Sequence, residues 1–205
     1  MRAFYTIIAR ALPLLLISGC SLLPFAHKGE GTAPAAVQHA GQRQKPGSSV
    51  APEARKLLDE AQSLWDGPWA ECRDAQRALE LLDKAVAIDP LDAHALVLRS
   101  RALADLGYLD DAFDDCTKAI RLSPDAEAYA TRGGLLLKRN QRAGADRDLN
   151  YAEAIDPSEP LIYLYRAAGD FLDHEMTKGC ANLRRACEQG ACPPYEKARS
   201  EGMCR

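Results

Sequence analysis

Long hydrophobic runs are missing from this chain of 205 residues. The run Ala11 to Ile17 is seven residues long, whereas a helix that crosses the hydrocarbon of a bilayer needs about 20, so this run is no spanning anchor. Histidine is scarce. His27 and His39 lie in a stretch without apolar period, and His94 and His174 stand alone. The chain has no His-Glu-x-x-His, no Gly-x-Ser-x-Gly elbow and no phosphate-cradling glycine loop, which removes the usual footings of zinc proteases, serine hydrolases and nucleotide enzymes. Surplus positive charge is absent too: the formal net charge is -3, and no basic stripe offers a track for nucleic acid. No segment alternates apolar and polar residues as a half-buried strand would. The acids Asp110, Asp111, Asp114 and Asp115 read as a solvated helix face, without the burial that tunes an acid or a base. The expectation is an all-α protein that is no enzyme and holds no metal or diffusible cofactor.

At the N-terminus Arg2 and Arg10 bracket the opening, and the apolar run ends in Ser18, Gly19 and Cys20. A charged start, a short apolar stretch and small residues are the marks of a cleaved secretory signal, here residues 1–19. Ile17-Ser18-Gly19-Cys20 resembles the lipobox of bacterial lipoproteins. The resemblance implies a diacylglyceryl group on the Cys20 thiol, cleavage before it and acylation of the new amine; several chains together anchor a protein stably where one does not. Ser21 follows, not the aspartate that resembles an inner-membrane retention signal, so the expected address is the outer membrane, facing the periplasm. Loss of residues 1–19 removes Arg2 and Arg10 and no acid, which moves the charge from -3 to -5. Besides Cys20 there are six cysteines, an even number that suits an oxidising compartment. Up to residue 50 the chain is rich in Gly, Pro, Ala, Ser and Gln and reads as a flexible tether, with a root-mean-square span of about 30 Å and a full stretch of about 100 Å.

Beyond Pro52 helical periodicity takes over, and a 33- or 34-residue sentence repeats. Ala78, Ala85 and Pro90 recur as Ala112, Ala119 and Pro124, as Ala145, Ala152 and Pro157, and loosely as Gly179, Ala186 and Ala191. Such a period marks helical hairpins that cannot bury their apolar faces alone and must stack. The first helix of each copy carries a bulky residue and, four later, a small one: Leu57 and Ala61, Leu96 and Ser100, Tyr129 and Gly133, Tyr163 and Ala167. Twelve residues beyond the small one lies the small contact of the second helix, except in the first copy, where the gap is 17. That difference is an insertion in the turn around Gly67 to Arg73, holding Pro68, Trp69 and Cys72. Core slots four residues after the second contact hold Leu82, Cys116, Leu149 and Leu183. Asp74 is placed to cap the second helix. Gly107 suits a tight turn, while Arg139-Asn140-Gln141 and Asp173-His174-Glu175 make less obvious ones.

Over residues 53–191 this pattern resembles the tetratricopeptide repeat (TPR). The resemblance implies a right-handed superhelical stack of about four helix-turn-helix units at 51–191, closed by a capping helix at 192–205. It also implies a scaffold that engages a protein or peptide along its concave face. Carried onto this chain, that groove comprises Arg55, Leu58, Gln62, His94, Val97, Arg101, Asp105, Glu127, Ala130, Gly134, Lys138, Leu161 and Leu164. Arg99 and Arg132 each precede an acid by sixteen residues, Asp115 and Asp148, a spacing that predicts an ion pair across each hairpin. In the fourth copy Asn182 replaces the acid and leaves Arg166 freer. A spacer without a ligand is the competing class, and a metal or enzymatic protein using the cysteine-rich end is a third.

Cys180, Cys187, Cys192 and Cys204 crowd the last 26 residues. Cys180 and Cys187 sit about 10.5 Å apart along one helix, beyond the reach of about 7 Å between disulfide Cα atoms. Gly190 ends that helix, Pro193-Pro194 restarts the chain, and Tyr195 to Ser200 form a short antiparallel helix. A hairpin of this kind pairs in nested order, Cys187 with Cys192 and Cys180 with Cys204. Zinc is the alternative, disfavoured because the spacings contain no Cys-x-x-Cys. This end is also similar to the Sel1-like relatives of the repeat. Cys116 reads as a buried small apolar residue, and Cys72 as free or partnered outside the chain.

Overall fold

The computed structural model describes residues 51–65, 67 and 72–205. Cys20, the tether and the middle of the insertion, with Pro68 and Trp69, lie outside the described residues. Within them the chain forms nine α-helices and no strand, only an isolated antiparallel bridge between Trp65 and Cys72 that closes the inserted turn. The first hairpin is α1 (Pro52–Gln62) and α2 (Ala75–Ile88). The second is α3 (Ala93–Leu106) and α4 (Leu109–Leu122), the third α5 (Ala126–Lys138) and α6 (Arg142–Ile155). A fourth, α7 (Pro160–Leu172) and α8 (Met176–Glu188), is followed by α9 (Cys192–Ser200). None of these helices is long and apolar enough to cross a membrane.

Local chemistry sets the ends. Asp74, Asp92, Asp125 and Glu159 each accept a hydrogen bond from a backbone N–H in the first turn of α2, α3, α5 and α7, donors that a helix cannot satisfy by itself. Gly107 closes α3 at φ +91°. The two less obvious turns adopt the same left-handed conformation with Asn140 (φ +58°) and His174 (φ +62°); asparagine meets a smaller steric penalty there than most residues. Each of these turns is locked by one backbone bond, Tyr108 N–H to Leu103 O at 2.9 Å, Gln141 to Leu136 at 2.8 Å and Glu175 to Asp170 at 2.8 Å, which satisfies a terminal carbonyl. Between units the chain leaves the second helix in an extended conformation at Asp89, Ser123 and Asp156, each followed by a proline that cannot continue a helix.

Small residues let the helices close. Ala61, Ala78, Ser100, Ala112, Ala145 and Ala167 are all fully buried. A Cβ on Gly133 would lie 3.1 Å from the Leu149 side chain. The four core slots, Leu82, Cys116, Leu149 and Leu183, have no exposed surface, and Cys116 Sγ sits 3.0 Å from Ser100 Oγ. Helix α9 starts earlier than expected, at Cys192 rather than Tyr195, because the first turn of a helix has N–H groups to spare and admits both prolines. It packs on α8 over Ala167, Phe171, Leu183, Ala198 and Cys204. Cys180 is bonded to Cys204 and Cys187 to Cys192, with Cα separations of 5.5 Å and 3.8 Å. Gly190 is left-handed at φ +97°, and Ala191 N–H bonds Ala186 O at 2.9 Å. The α8–α9 turn is therefore built like the turns inside a hairpin, not like those between units.

Candidate functional site

From unit to unit the first helices pack on one another, α3 on α5 and α5 on α7, whereas the second helices make no comparable contact. The stack consequently curves with its first helices inside. Side chains from four units meet on that inner face. Arg101 of α3 lies over the Trp65 ring at the end of the first unit, 5.1 Å from its centroid. Its guanidinium is 3.9 Å from Glu127 of α5, and His94 Nδ1 is 3.6 Å from the same carboxylate. Asp105 accepts a hydrogen bond from the Cys72 N–H at 3.1 Å, which ties the inserted turn to the inner face. Lys138 donates to the Ala104 carbonyl at 3.2 Å. Tyr165 of α7 lays its ring across Gly134 of α5, where a Cβ would come within 2.4 Å of it.

The electrostatics follow from this geometry. The Glu127 carboxylate beside it raises the His94 pKa above its ordinary 6.5 despite partial desolvation. Burial pushes the Glu127 carboxyl up, but the neighbouring His94 and the charge of Arg101 outweigh it and hold it below its usual range. Burial raises Asp125 and Glu159, and neighbouring carboxylates add to it. Tyr165 is pushed up to about 12, chiefly by burial.

Of the thirteen expected groove residues, Arg55, Gln62, His94 and Lys138 are at least partly exposed, and Asp105, Glu127 and Leu164 are half-buried. Leu58, Val97, Ala130, Gly134 and Leu161 are buried. These five do not line an open groove: neighbouring first helices approach closely on the inside of the curve, and the apolar positions are used up in that contact. Arg101 keeps only 9% of its surface exposed. The sequence reading missed Trp65 and Tyr165 as parts of this face. One signal was available, since a glycine inside a helix costs about 1 kcal/mol against alanine and Gly134 stands where the preceding unit has Arg101.

Both expected ion pairs form. Arg99 grips Asp115 through two bonds of 2.6 and 2.8 Å, and Arg132 grips Asp148 at 2.7 and 2.9 Å. Asp115 is accordingly 7% exposed and belongs to the hairpin interior, a correction to its placement on the solvated face with Asp110, Asp111 and Asp114. Arg166 is not freer than its counterparts either. It turns to the preceding unit and pairs with Glu153 at 2.7 Å and Asn150 at 2.8 Å, while Asn182 donates to Asp170. Cys116 is buried and its thiol is pushed up to about 12 by burial. Cys72 is a half-buried free thiol, raised chiefly by burial.

No protein-family model matches the chain. Among curated proteins it is 26% identical over 119 residues to human tetratricopeptide repeat protein 13, a match covering 58% of this chain and 14% of that protein. It is 32% identical over 140 residues to human tetratricopeptide repeat protein 34, covering 58% of this chain and 25% of that protein. The chain thus spans a quarter or less of the length of these relatives. Among solved structures, a thermophilic TPR protein from Thermus thermophilus superposes with a TM-score of 0.55 at 22% identity, covering 73% of this chain and 77% of that one. The chain has a tetratricopeptide-repeat fold. Such a fold suggests a scaffold for protein–protein interaction.

Proposed function

We propose that the chain is a lipid-anchored TPR scaffold of a bacterial envelope, tethered through Cys20 to the outer membrane and holding a polypeptide partner against its inner face in the periplasm. The observation that carries the partner is the row of polar side chains on that face. His94, Arg101, Asp105, Glu127 and Lys138 come from two successive first helices, and the apolar positions between them are sealed. Such a face recognises by hydrogen bonds and charge, which give specificity and on-rate more than raw affinity. The lipobox-like Ile17-Ser18-Gly19-Cys20 supports the anchor, and the two disulfides of the cap suit an oxidising compartment. The covalent lipid on Cys20 is the sole non-protein group in this reading, and nucleic acid is no partner.

The test is photo-crosslinking in cells from His94 and Lys138, both solvent-accessible on the inner face, with Tyr151 on α6 as an exposed control. One discrete adduct at the inner positions that the control does not give is the expected result. Adducts at neither inner position, with the control reactive, would leave the ligand-free spacer as the function, a reading that the sealed apolar positions favour. Replacing Cys20 with serine releases the protein from the membrane fraction if the anchor is as proposed.

A further inference from the structure

We infer that Trp65 is a binding residue of the inner face, and that it donates its indole N–H to an uncharged amide oxygen of the partner. The inference rests on the partner-binding reading above and names the chemistry of one contact in it. Trp65 is 7% exposed, yet its Nε1 has no hydrogen-bond partner among the described residues. A buried donor left unmade costs the desolvation of that group, and native proteins rarely tolerate one without a use for it. The ring belongs to the first-unit core, so packing accounts for an aromatic side chain there but not for the indole nitrogen. Phenylalanine would fill the core without the orphan.

What the N–H takes follows from its neighbours. It can only donate, so the ligand atom is an acceptor. The cation above it, Arg101, faces Glu127 at 3.9 Å, and Asp105 stands one helical turn further along α3, anchored by the Cys72 N–H. Glu127 already faces that guanidinium and Asp105 stands on the same helix, so a carboxylate on the partner meets repulsion from both. A neutral oxygen does not. Main-chain carbonyls of an extended segment and the side-chain amides of asparagine and glutamine share this chemistry. Arg101 is the cover over the ring, and occupancy turns its side chain aside.

The full-length protein in detergent, with Trp69→Phe and 15N-labelled tryptophan, gives a single indole N–H resonance, that of Trp65. The probe is a mixture of heptapeptides, N-acetylated and C-amidated, randomised over uncharged residues, prepared with and without asparagine and glutamine. A second mixture carries a free C-terminal carboxylate. The expected result is a downfield shift of the indole proton with the blocked mixture, and about fivefold weaker binding when Trp65 is replaced by benzothienylalanine, which keeps the shape of the ring and lacks the N–H. A shift that survives removal of asparagine and glutamine assigns the oxygen to the main chain; one that vanishes assigns it to the side-chain amide. An unmoved indole resonance, unchanged affinity of the isostere, or tighter binding of the carboxylate mixture overturns the inference. If crosslinks from His94 and Lys138 form while the indole stays unmoved, the groove stands and only the role of Trp65 falls; if neither occurs, both fall.

Discussion

Single residues on the inner face carry opposite tendencies that pH can separate. The folded pKa of His94 is raised and that of Glu127 lowered. The contribution of His94 is therefore fully present below its ordinary 6.5 and lost as pH rises through the higher folded value. That of Glu127 is present above its ordinary 4.5 and lost as pH falls through the lower folded value. Thermal melts should thus show a decline in stability above about pH 6.5 that disappears in His94→Gln, and an unchanged decline in the variant would deny the pair any weight. At the hairpin interior Asp148→Ala strands Arg132, whose side chain is 20% exposed. The loss is expected to be about 2 kcal/mol by urea denaturation, larger than for the exposed pair Arg77–Glu60, where about 0–1 kcal/mol is usual. Gly179→Ala would place a Cβ 2.3 Å from the Phe171 ring, itself buried in the cap cluster. A cost of about 1–3 kcal/mol is expected, recovered in part by trimming Phe171 to leucine.

At the scale of elements, the cap is the part whose stability has a separable origin. The Cys180–Cys204 bridge closes a span of 24 residues and the Cys187–Cys192 bridge one of 5. By loop entropy the first contributes about 3 kcal/mol and the second about 2. Replacing Cys180 and Cys204 together by serine should accordingly lower the melting temperature more than replacing Cys187 and Cys192, and equal losses would argue that the bridges act by some other route. The helices themselves were legible in the sequence because their signals are local. Periodic apolar residues, the capping Asp74 and the 33- or 34-residue step all act within one unit or between neighbours, and the salt-bridge spacing of sixteen residues is fixed by the hairpin. Legibility failed where geometry depends on how adjacent units close. Val97, Ala130 and Leu161 lie on the inner side of their helices, as the repeat implies, but the distance of the next helix decides that they are buried. Arg166 shows the same limit, since its partner Glu153 belongs to the unit before. Tyr165 was missed because it acts on the first helix of the preceding unit, through a gap that only Gly134 leaves.

For the whole molecule, the arrangement is a curved stack whose inner face draws one side chain or more from each unit, so the binding proposed there would depend on units keeping their relative angle. A substitution that loosens the contact between α5 and α7 without unfolding either hairpin should weaken partner capture at His94 as well as at Lys138. Tyr165→Ala is that substitution, and retained crosslinking at both sites would show that the face does not act as one. The turn at Gly190 bears on a different matter, the history and engineering of the stack. Because the chain leaves α8 through the turn used inside hairpins, and α9 then packs on it under two disulfides, a further unit cannot dock on α8 in the place that α9 holds. New repeats can be gained by duplication only upstream of α8, within the array or ahead of α1. A ladder lengthened by splicing a copy of α3 and α4 after Ser123 should fold and lengthen the inner face, whereas the same copy appended beyond Arg205 would hang as an unattached hairpin.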